Sequence, residues 1–357
     1  MPLQSIGDHG RSQLSQRREP AADGRSGPLS DESDIDRSRM VAQRSSANAA
    51  QQRQEPFFII GSPRSGTSLL SRMLSGHSRL GVPFETAIVE VFHDMAPVYE
   101  PLDNIDNRRR LVSDILSYPT MQKVRPRVAV DQAMAAIEGD GIAGVMDGIL
   151  SAWIVQQGKS RWGEKRPGNT FYSNVLADWF PQAKLVHIIR DGRDVANSLV
   201  TAPFGPKTLF TAAKRWERFV RAGQEIGAGL PSTHYLELRY EDLLDSPEAE
   251  LRQICDFLDE PFEPAMLEFH EQATQYPTDA VNAHNLNRRV IETNSYKWLH
   301  AMTRSELEIV EAAVAPTLQS LDYDTATAAR QIDGLEGLFR THLEPLPRRA
   351  VSMARNR

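Results

Sequence analysis

Residues 61 to 68 read Gly-Ser-Pro-Arg-Ser-Gly-Thr-Ser. They follow the apolar run Phe57 to Ile60 and precede Leu69, Leu70, Met73 and Leu74, which fall at helical spacing before Gly76. A buried strand, a glycine-bearing turn and a helix start form the outline of an anion cradle, in which backbone N–H groups and the helix N-terminus face the ligand's oxygens. A nucleotide triphosphatase loop would place Lys directly after the second glycine. Here Thr67 and Ser68 follow it. The cation sits inside the loop, at Arg64, where a guanidinium can bridge two oxygens of one anion. The loop therefore asks for a multi-oxygen anion without signalling Mg²⁺-dependent γ-phosphate chemistry.

Three more stretches carry reactive residue types. The run Lys184 to Ile189 reads as a second buried strand and leads into Arg190, Asp191, Gly192, Arg193 and Asp194. The C-terminal end of a parallel strand is where α/β proteins hold ligands, so Arg190 arrives at such an end with Ser198 one helical segment further on. The stretch PFETAIVEVF carries Glu85, 21 residues past Arg64. The stretch RWGEKRPGNTF carries Lys165, with Arg166 beside it and the backbone restricted by Pro167. Plainer readings stand beside each. Glu85 can open the helix AIVEVF, Lys165 can pair with Glu164, and Arg193 can pair with Asp191 or Asp194. His77 and His187 compete for a base role, but His187 lies in an apolar strand and His77 follows a helix-ending glycine.

The loop resembles the 5′-phosphosulfate loop of the sulfotransferases, in the variant P-R-S-G-T-S/T-L of carbohydrate and tyrosylprotein sulfotransferases. The segment from Lys184 to Val200 is similar to that superfamily's 3′-phosphate segment, R-D/N-x-R-D/A-x-x-x-S after an apolar strand. The resemblance runs from about Phe57 to Tyr323. It implies a sulfotransferase using 3′-phosphoadenylyl sulfate (PAPS) as co-substrate and no metal. It assigns Arg64, Ser65, Gly66, Thr67 and Ser68 to the 5′ side of the donor, and Arg190 and Ser198 to its 3′-phosphate. Glu85, in an E-T pair with Thr86, becomes the base, with burial expected to raise its pKa toward the working pH. Lys165 becomes the stabiliser of sulfuryl charge. Tyr240, in RYEDL, is expected at the adenosine. Lys297, before Trp298, matches a cofactor-phosphate lysine, with Arg288 and Arg289 in the loop ahead of it. The tyrosylprotein enzymes carry a basic residue after the E-T pair. Ala87 stands there in this chain, which argues against a peptidyl tyrosine. The expected acceptor is a hydroxyl of a carbohydrate, glycolipid or small molecule. Two other readings remain open: a P-loop kinase or NTPase, opposed by Thr67 in the lysine slot, and a non-catalytic PAPS-binding protein, opposed by Glu85 and Lys165.

These residues require an α/β frame. Buried strands near Phe57–Gly61, Lys184–Ile189 and Thr233–Leu238 alternate with helical patterns at 131–157, 207–228 and Ser246–Leu258. That alternation predicts a doubly wound parallel sheet flanked by helices. The expected organisation is a disordered tail over 1–54, a sulfotransferase domain over 55–330 and a basic extension over 331–357. Residues 87–160 hold no motif and are expected to form helices over the site, where Asp94, Tyr99 and Asp103 are candidate acceptor contacts. With 41 basic against 47 acidic residues the net charge is −6, so no bulk field draws nucleic acid and any anion site is local. The one cysteine, Cys255, excludes a disulfide framework within the chain and reads as a small buried hydrophobe. No run reaches the ~18 apolar residues of a membrane helix, and the first 20 residues lack the apolar core of a secretory signal. The expectation is a cytoplasmic protein.

Overall fold

A computed structural model of the chain describes residues 54–271, 286, 288–290, 292–328, 332 and 334–344. The expected N-terminal tail falls outside these residues but for Gln54, and of the expected extension over 331–357 only 332 and 334–344 are described, with a short helix at Gly334–Leu338. The sheet has five parallel strands: β1 (Phe57–Ile60), β2 (Leu80–Gly81), β3 (Arg161–Lys165), β4 (Lys184–Ile189) and β5 (Tyr235–Arg239). Their order is β2-β3-β1-β4-β5. Strand β1 is central, and all four of its residues are buried, as its unbroken apolar run requires. Ile59 lies opposite Lys165 on one side, and Ile60 lies opposite His187 on the other. The C-terminal ends of β1, β3 and β4 therefore come together, and the loops that leave them meet.

Helices cover the sheet. Helix α1 (Thr67–Leu74) follows the loop after β1. The stretch without a motif supplies α2 (Ile88–Phe92), α3 (Ile105–Ser117), α4 (Val130–Ala136) and α5 (Gly141–Gln156). They bury a core with Phe58, Trp153 and Trp162. The expected helix over 131–157 is thus two helices, broken at Gly139-Asp140-Gly141. Gly141 has φ +62, the left-handed conformation glycine adopts at little cost. Then come α6 (Ser173–Trp179), α7 (Gly192–Thr201), the long α8 (Leu209–Gly229), α9 (Tyr240–Asp245), α10 (Pro247–Leu258), α11 (Trp298–Ala301) and α12 (Arg304–Ser320). Pro247 opens α10 as expected, although Ser246 makes no capping bond with its side chain. Cys255 is fully buried on α10, and burial pushes its thiol up to about 12.

Strand β3 was not expected. Its sequence, Arg-Trp-Gly-Glu-Lys, has none of the β-branched residues that mark a central strand, yet every residue is buried. It holds because its charges are satisfied. Arg161 donates to the carbonyls of Glu55 and Leu258 and pairs with Glu260, and Glu164 accepts from Thr86. Of the acceptor candidates in the motif-free stretch, Tyr99 is buried and donates to Asp114, while Asp94 and Asp103 are exposed. His187 is a core histidine bonded to the Tyr235 hydroxyl, and His77 bonds the Pro261 carbonyl.

Candidate active site

The loop between β1 and α1 is a compact turn closed by Ser65 N donating to Ser62 O at 3.1 Å. Arg64 and Gly66 take φ of +76 and +95. A Cβ at Gly66 would overlap the Tyr240 ring, so the position requires glycine twice over, by conformation and by space. Gly66 caps α1 without a side-chain bond, and the first N–H groups of a helix lack internal acceptors. The Ser65 hydroxyl is buried with no hydrogen-bond partner among the described residues. A turn with open N–H groups, an orphaned hydroxyl and a local cation is a suitable cradle for an anion with several oxygens. Thr170 fixes its base by accepting from Gly61 N at 3.0 Å.

Arg190 leaves the end of β4 and reaches the loop. Its guanidinium donates to the Arg64 carbonyl at 3.3 Å, to Asp194 at 2.7 Å and to the Asn294 carbonyl at 2.7 Å. Its Nε has no hydrogen-bond partner among the described residues. The Tyr240 ring lies under the guanidinium, 4.6 Å from its carbon, and is 2% exposed. Tyr240 therefore underlies both Gly66 and Arg190 rather than offering an open face. Ser198 accepts from Arg64 Nε at 2.8 Å, so the two expected phosphate segments are directly joined. Arg193 takes no part in this. It pairs with Asp191 and with Glu311 at 2.7 Å, and it stacks on Trp298 at 3.8 Å. Lys297 is exposed beside that stack, and Arg288 and Arg289 are exposed too, with Arg289 3.6 Å from Glu268.

Glu85 and Lys165 meet on the other side of the loop. Lys165, at the end of β3, is 1% exposed and donates to Glu85 Oε1 at 2.6 Å and to Ser68 Oγ at 3.1 Å. Glu85 lies in the connection between β2 and α2, which two bonds hold in place. Thr86 donates to Glu164 at 2.7 Å, and Thr120 donates to the Thr86 carbonyl at 2.8 Å. Glu164 is thus occupied with Thr86 and Asn169. Burial pushes the Glu85 carboxyl up. The charge and hydrogen bond of Lys165, joined by Arg166 at 3.4 Å, outweigh that and hold it below its ordinary 4.5. Burial was expected to win. It does not, because two cations share the carboxylate.

Glu85 also lines a cleft of about 820 Å³. Pro63 of the loop, the 3₁₀ turn Pro167–Tyr172 and helix α8 form its other walls. Phe171 and Phe219 meet there at 4.5 Å between ring centroids, with Phe204, Arg215 and Arg218 around them. None of these side chains was singled out from sequence. The one available signal was Arg215, Arg218 and Phe219 at three- and four-residue spacing, which puts them on one face of α8.

A model of the sulfotransferase family matches residues 56–264. The chain is similar to protein-tyrosine sulfotransferase A of Caenorhabditis elegans, 24% identical over 284 residues, covering 76% of this chain and 68% of that protein. It is also similar to the protein-tyrosine sulfotransferase of Drosophila melanogaster, 23% identical over 280 residues, covering 75% of this chain and 51% of that protein. Among solved structures, the sulfotransferase domain of the Synechococcus PCC 7002 olefin synthase shares the fold with a TM-score of 0.53 and 24% identity, over 76% of this chain and 98% of that one.

Proposed function

Since the chain belongs to the sulfotransferase family, we propose that it moves a sulfuryl group from PAPS to an acceptor hydroxyl, with Glu85 as base and Lys165 as charge stabiliser. The observation that carries this reading is the chain Glu85–Lys165–Ser68, which links the acceptor cleft to the first turn of α1 at distances of 2.6 and 3.1 Å. When bound, PAPS supplies a sulfuryl group on a phosphate leaving group. Glu85 is ionised at neutral pH and takes the acceptor's hydroxyl proton on Oε1 or Oε2. Lys165 Nζ, already beside Ser68, places positive charge where the sulfuryl oxygens and leaving phosphate develop theirs. As Lys165 turns from Glu85 to that charge, the carboxylate loses one of its two cations and becomes a stronger base. Arg64, Ser65, Gly66, Thr67 and Ser68 hold the 5′ side, and the unpartnered Ser65 hydroxyl fits a phosphate or sulfate oxygen. Arg190 and Ser198 hold the 3′-phosphate, with Tyr240 positioning Arg190 from below and Lys297 adding charge nearby. The acceptor hydroxyl is carried on a ring, aromatic or sugar, that lies on Phe171 and Phe219. That choice spans both the glycan or small molecule suggested by the loop and the tyrosine in the relatives' names. Among the described residues no helix is long and apolar enough to cross a membrane.

Calorimetry with 3′,5′-adenosine bisphosphate, and with ATP plus Mg²⁺, tests the donor site. The bisphosphate is expected to bind tightly and ATP weakly. Arg190→Ala is expected to cost about 1.5–3 kcal/mol, the worth of a hydrogen bond to a charged group. A preference for Mg²⁺-ATP, or indifference to the substitution, would overturn the reading.

A further inference from the structure

The four cations in the middle of α8 divide sharply. Lys214 and Arg221 both pair with Glu217, and Arg221 also reaches Thr317. Arg215 and Arg218 have no carboxylate partner among the described residues. Arg215 makes one bond, to the Phe204 carbonyl at 3.3 Å. Otherwise they lie near aromatic rings, Arg215 5.9 Å from Phe219 and Arg218 5.7 Å from Phe171. Both line the cleft that holds Glu85. The cleft's two carboxylates cannot serve them, because Glu85 is held by Lys165 and Arg166, and Glu90 by Arg166. Two like charges on adjacent turns repel. Burial first, and then the charge of Arg218, hold the Arg215 guanidinium below its ordinary range, so an anion between them would relieve both effects.

We infer that Arg215 and Arg218 form an anion subsite for the acceptor, which carries a carboxylate or phosphate beyond its ring while its hydroxyl faces Glu85. This rests on the reading of Glu85 as the acceptor-side base, and adds the charge of the acceptor. The occupant is fixed by complementarity. The apolar body lies on Phe171 and Phe219, the anionic arm reaches the two guanidinium groups, and a cationic acceptor is repelled.

The test is a charge series on one phenol: 3-(4-hydroxyphenyl)propionate, its methyl ester, tyramine and tyrosol phosphate. Binding is measured by calorimetry to the full chain, with and without 3′,5′-adenosine bisphosphate, and turnover with PAPS. The expected result is that the propionate or the phosphate binds at least tenfold more tightly than the ester, and tyramine most weakly. Whichever anion binds better identifies the arm. The Arg215→Gln/Arg218→Gln variant should collapse the ratio of anion to ester toward one, and the double Lys variant should restore part of it. Equal binding of the propionate, the phosphate and the ester by wild type would overturn the inference. So would a variant that weakens the bisphosphate as much as the propionate, since the arginines would then serve the donor. The bisphosphate titration stands apart: its failure would sink the donor reading while the acceptor series still decides the subsite.

Discussion

The two sides of the site are built on opposite plans. On the donor side, at the ends of β1 and β4, nearly every charge is partnered. Arg190 is bound by Asp194 and two carbonyls, Arg193 by Asp191 and Glu311, and the Glu241 carboxylate by the Asp191 backbone N–H. In the cleft beside Glu85 two arginines have no carboxylate partner among the described residues, and Phe171 and Phe204 are 43% and 50% exposed. Burial explains the difference. A charge in low dielectric is costly unless paired, so a donor pocket set among strand ends must arrive neutralised, with a few atoms such as Ser65 Oγ and Arg190 Nε left for the ligand. A cleft wall on an outer helix leaves Arg218 exposed and Arg215 only half-buried, so these charges cost less to leave without a carboxylate and stay open to a substrate. On the proposed reading the donor pocket is a preformed socket, and the cleft beside it is the part left open for an acceptor.

The strongest way to break this comparison is at the joint between the sides. Glu85→Gln keeps the shape and removes the base, and a general base is worth about 10²–10⁴ in rate. Turnover is expected to fall by that factor while bisphosphate binding, read by calorimetry, persists. Survival of turnover would remove Glu85 from the mechanism. The next effect separates two arginines three residues apart. Arg193→Met strips a buried cation from Asp191 and Glu311, and breaking such a pair costs about 3–5 kcal/mol. Urea unfolding should show that loss. Arg190→Ala also frees the buried Asp194 and should cost stability, but it should in addition weaken the nucleotide, which Arg193→Met should leave unchanged. If the two substitutions gave the same profile, the division between structural and ligand-facing arginine would be wrong.

The Glu85 carboxyl sharpens the link between the sides through pH. Its folded pKa is held below the ordinary value, so the stabilisation it shares with Lys165 is fully present above the unfolded pKa and is lost as pH falls through the folded one. Activity that needs the carboxylate should therefore stay level from neutral pH down into the ordinary carboxylate range. In Lys165→Met the pair is gone and burial is left to act against Arg166 alone. The acid limb should then move up in pH, and the Glu85 titration, followed by NMR, should move with it. An unmoved limb would mean that Lys165 does not govern Glu85.

Legibility followed the same division. The turn and the strand–helix unit were readable because their parts are local: Arg64 to Ser68 sit between a strand and a helix, and Arg190 and Ser198 follow one strand. The sheet strands made of apolar runs were readable for the same reason. Strand β3 was not, because Arg161, Glu164 and Lys165 are buried polar residues whose partners, Glu260, Thr86 and Glu85, are far away in sequence. The direction of the Glu85 shift depended on that unseen strand, since it brings both Lys165 and Arg166 to the carboxylate. The cleft beside Glu85 was hidden because the turn Pro167–Tyr172 and helix α8 meet only in the fold, and because Arg215 is marked by its lack of a carboxylate partner among the described residues. A missing contact leaves no trace in a sequence.

The smallest expected effect tests how tightly the two phosphate segments are joined before any ligand arrives. Ser198 Oγ accepts from Arg64 Nε at 2.8 Å, across 134 positions of chain. Ser198→Ala removes that acceptor from a site that is only half-buried, where water can replace it. A hydrogen bond is worth about 0.5–1.5 kcal/mol net. The bisphosphate should therefore bind a few-fold to about tenfold more weakly, with unfolding little changed. Two contributions would be lost together: the hydroxyl's own contact with the 3′-phosphate, and its hold on Arg64, which faces the 5′ side. Adenosine 5′-phosphate lacks the 3′ group and so separates them. If Ser198→Ala weakens the monophosphate as well as the bisphosphate, the serine acts across the socket through Arg64. If it weakens the bisphosphate alone, the serine is a 3′-phosphate ligand and the bond to Arg64 is only where it rests.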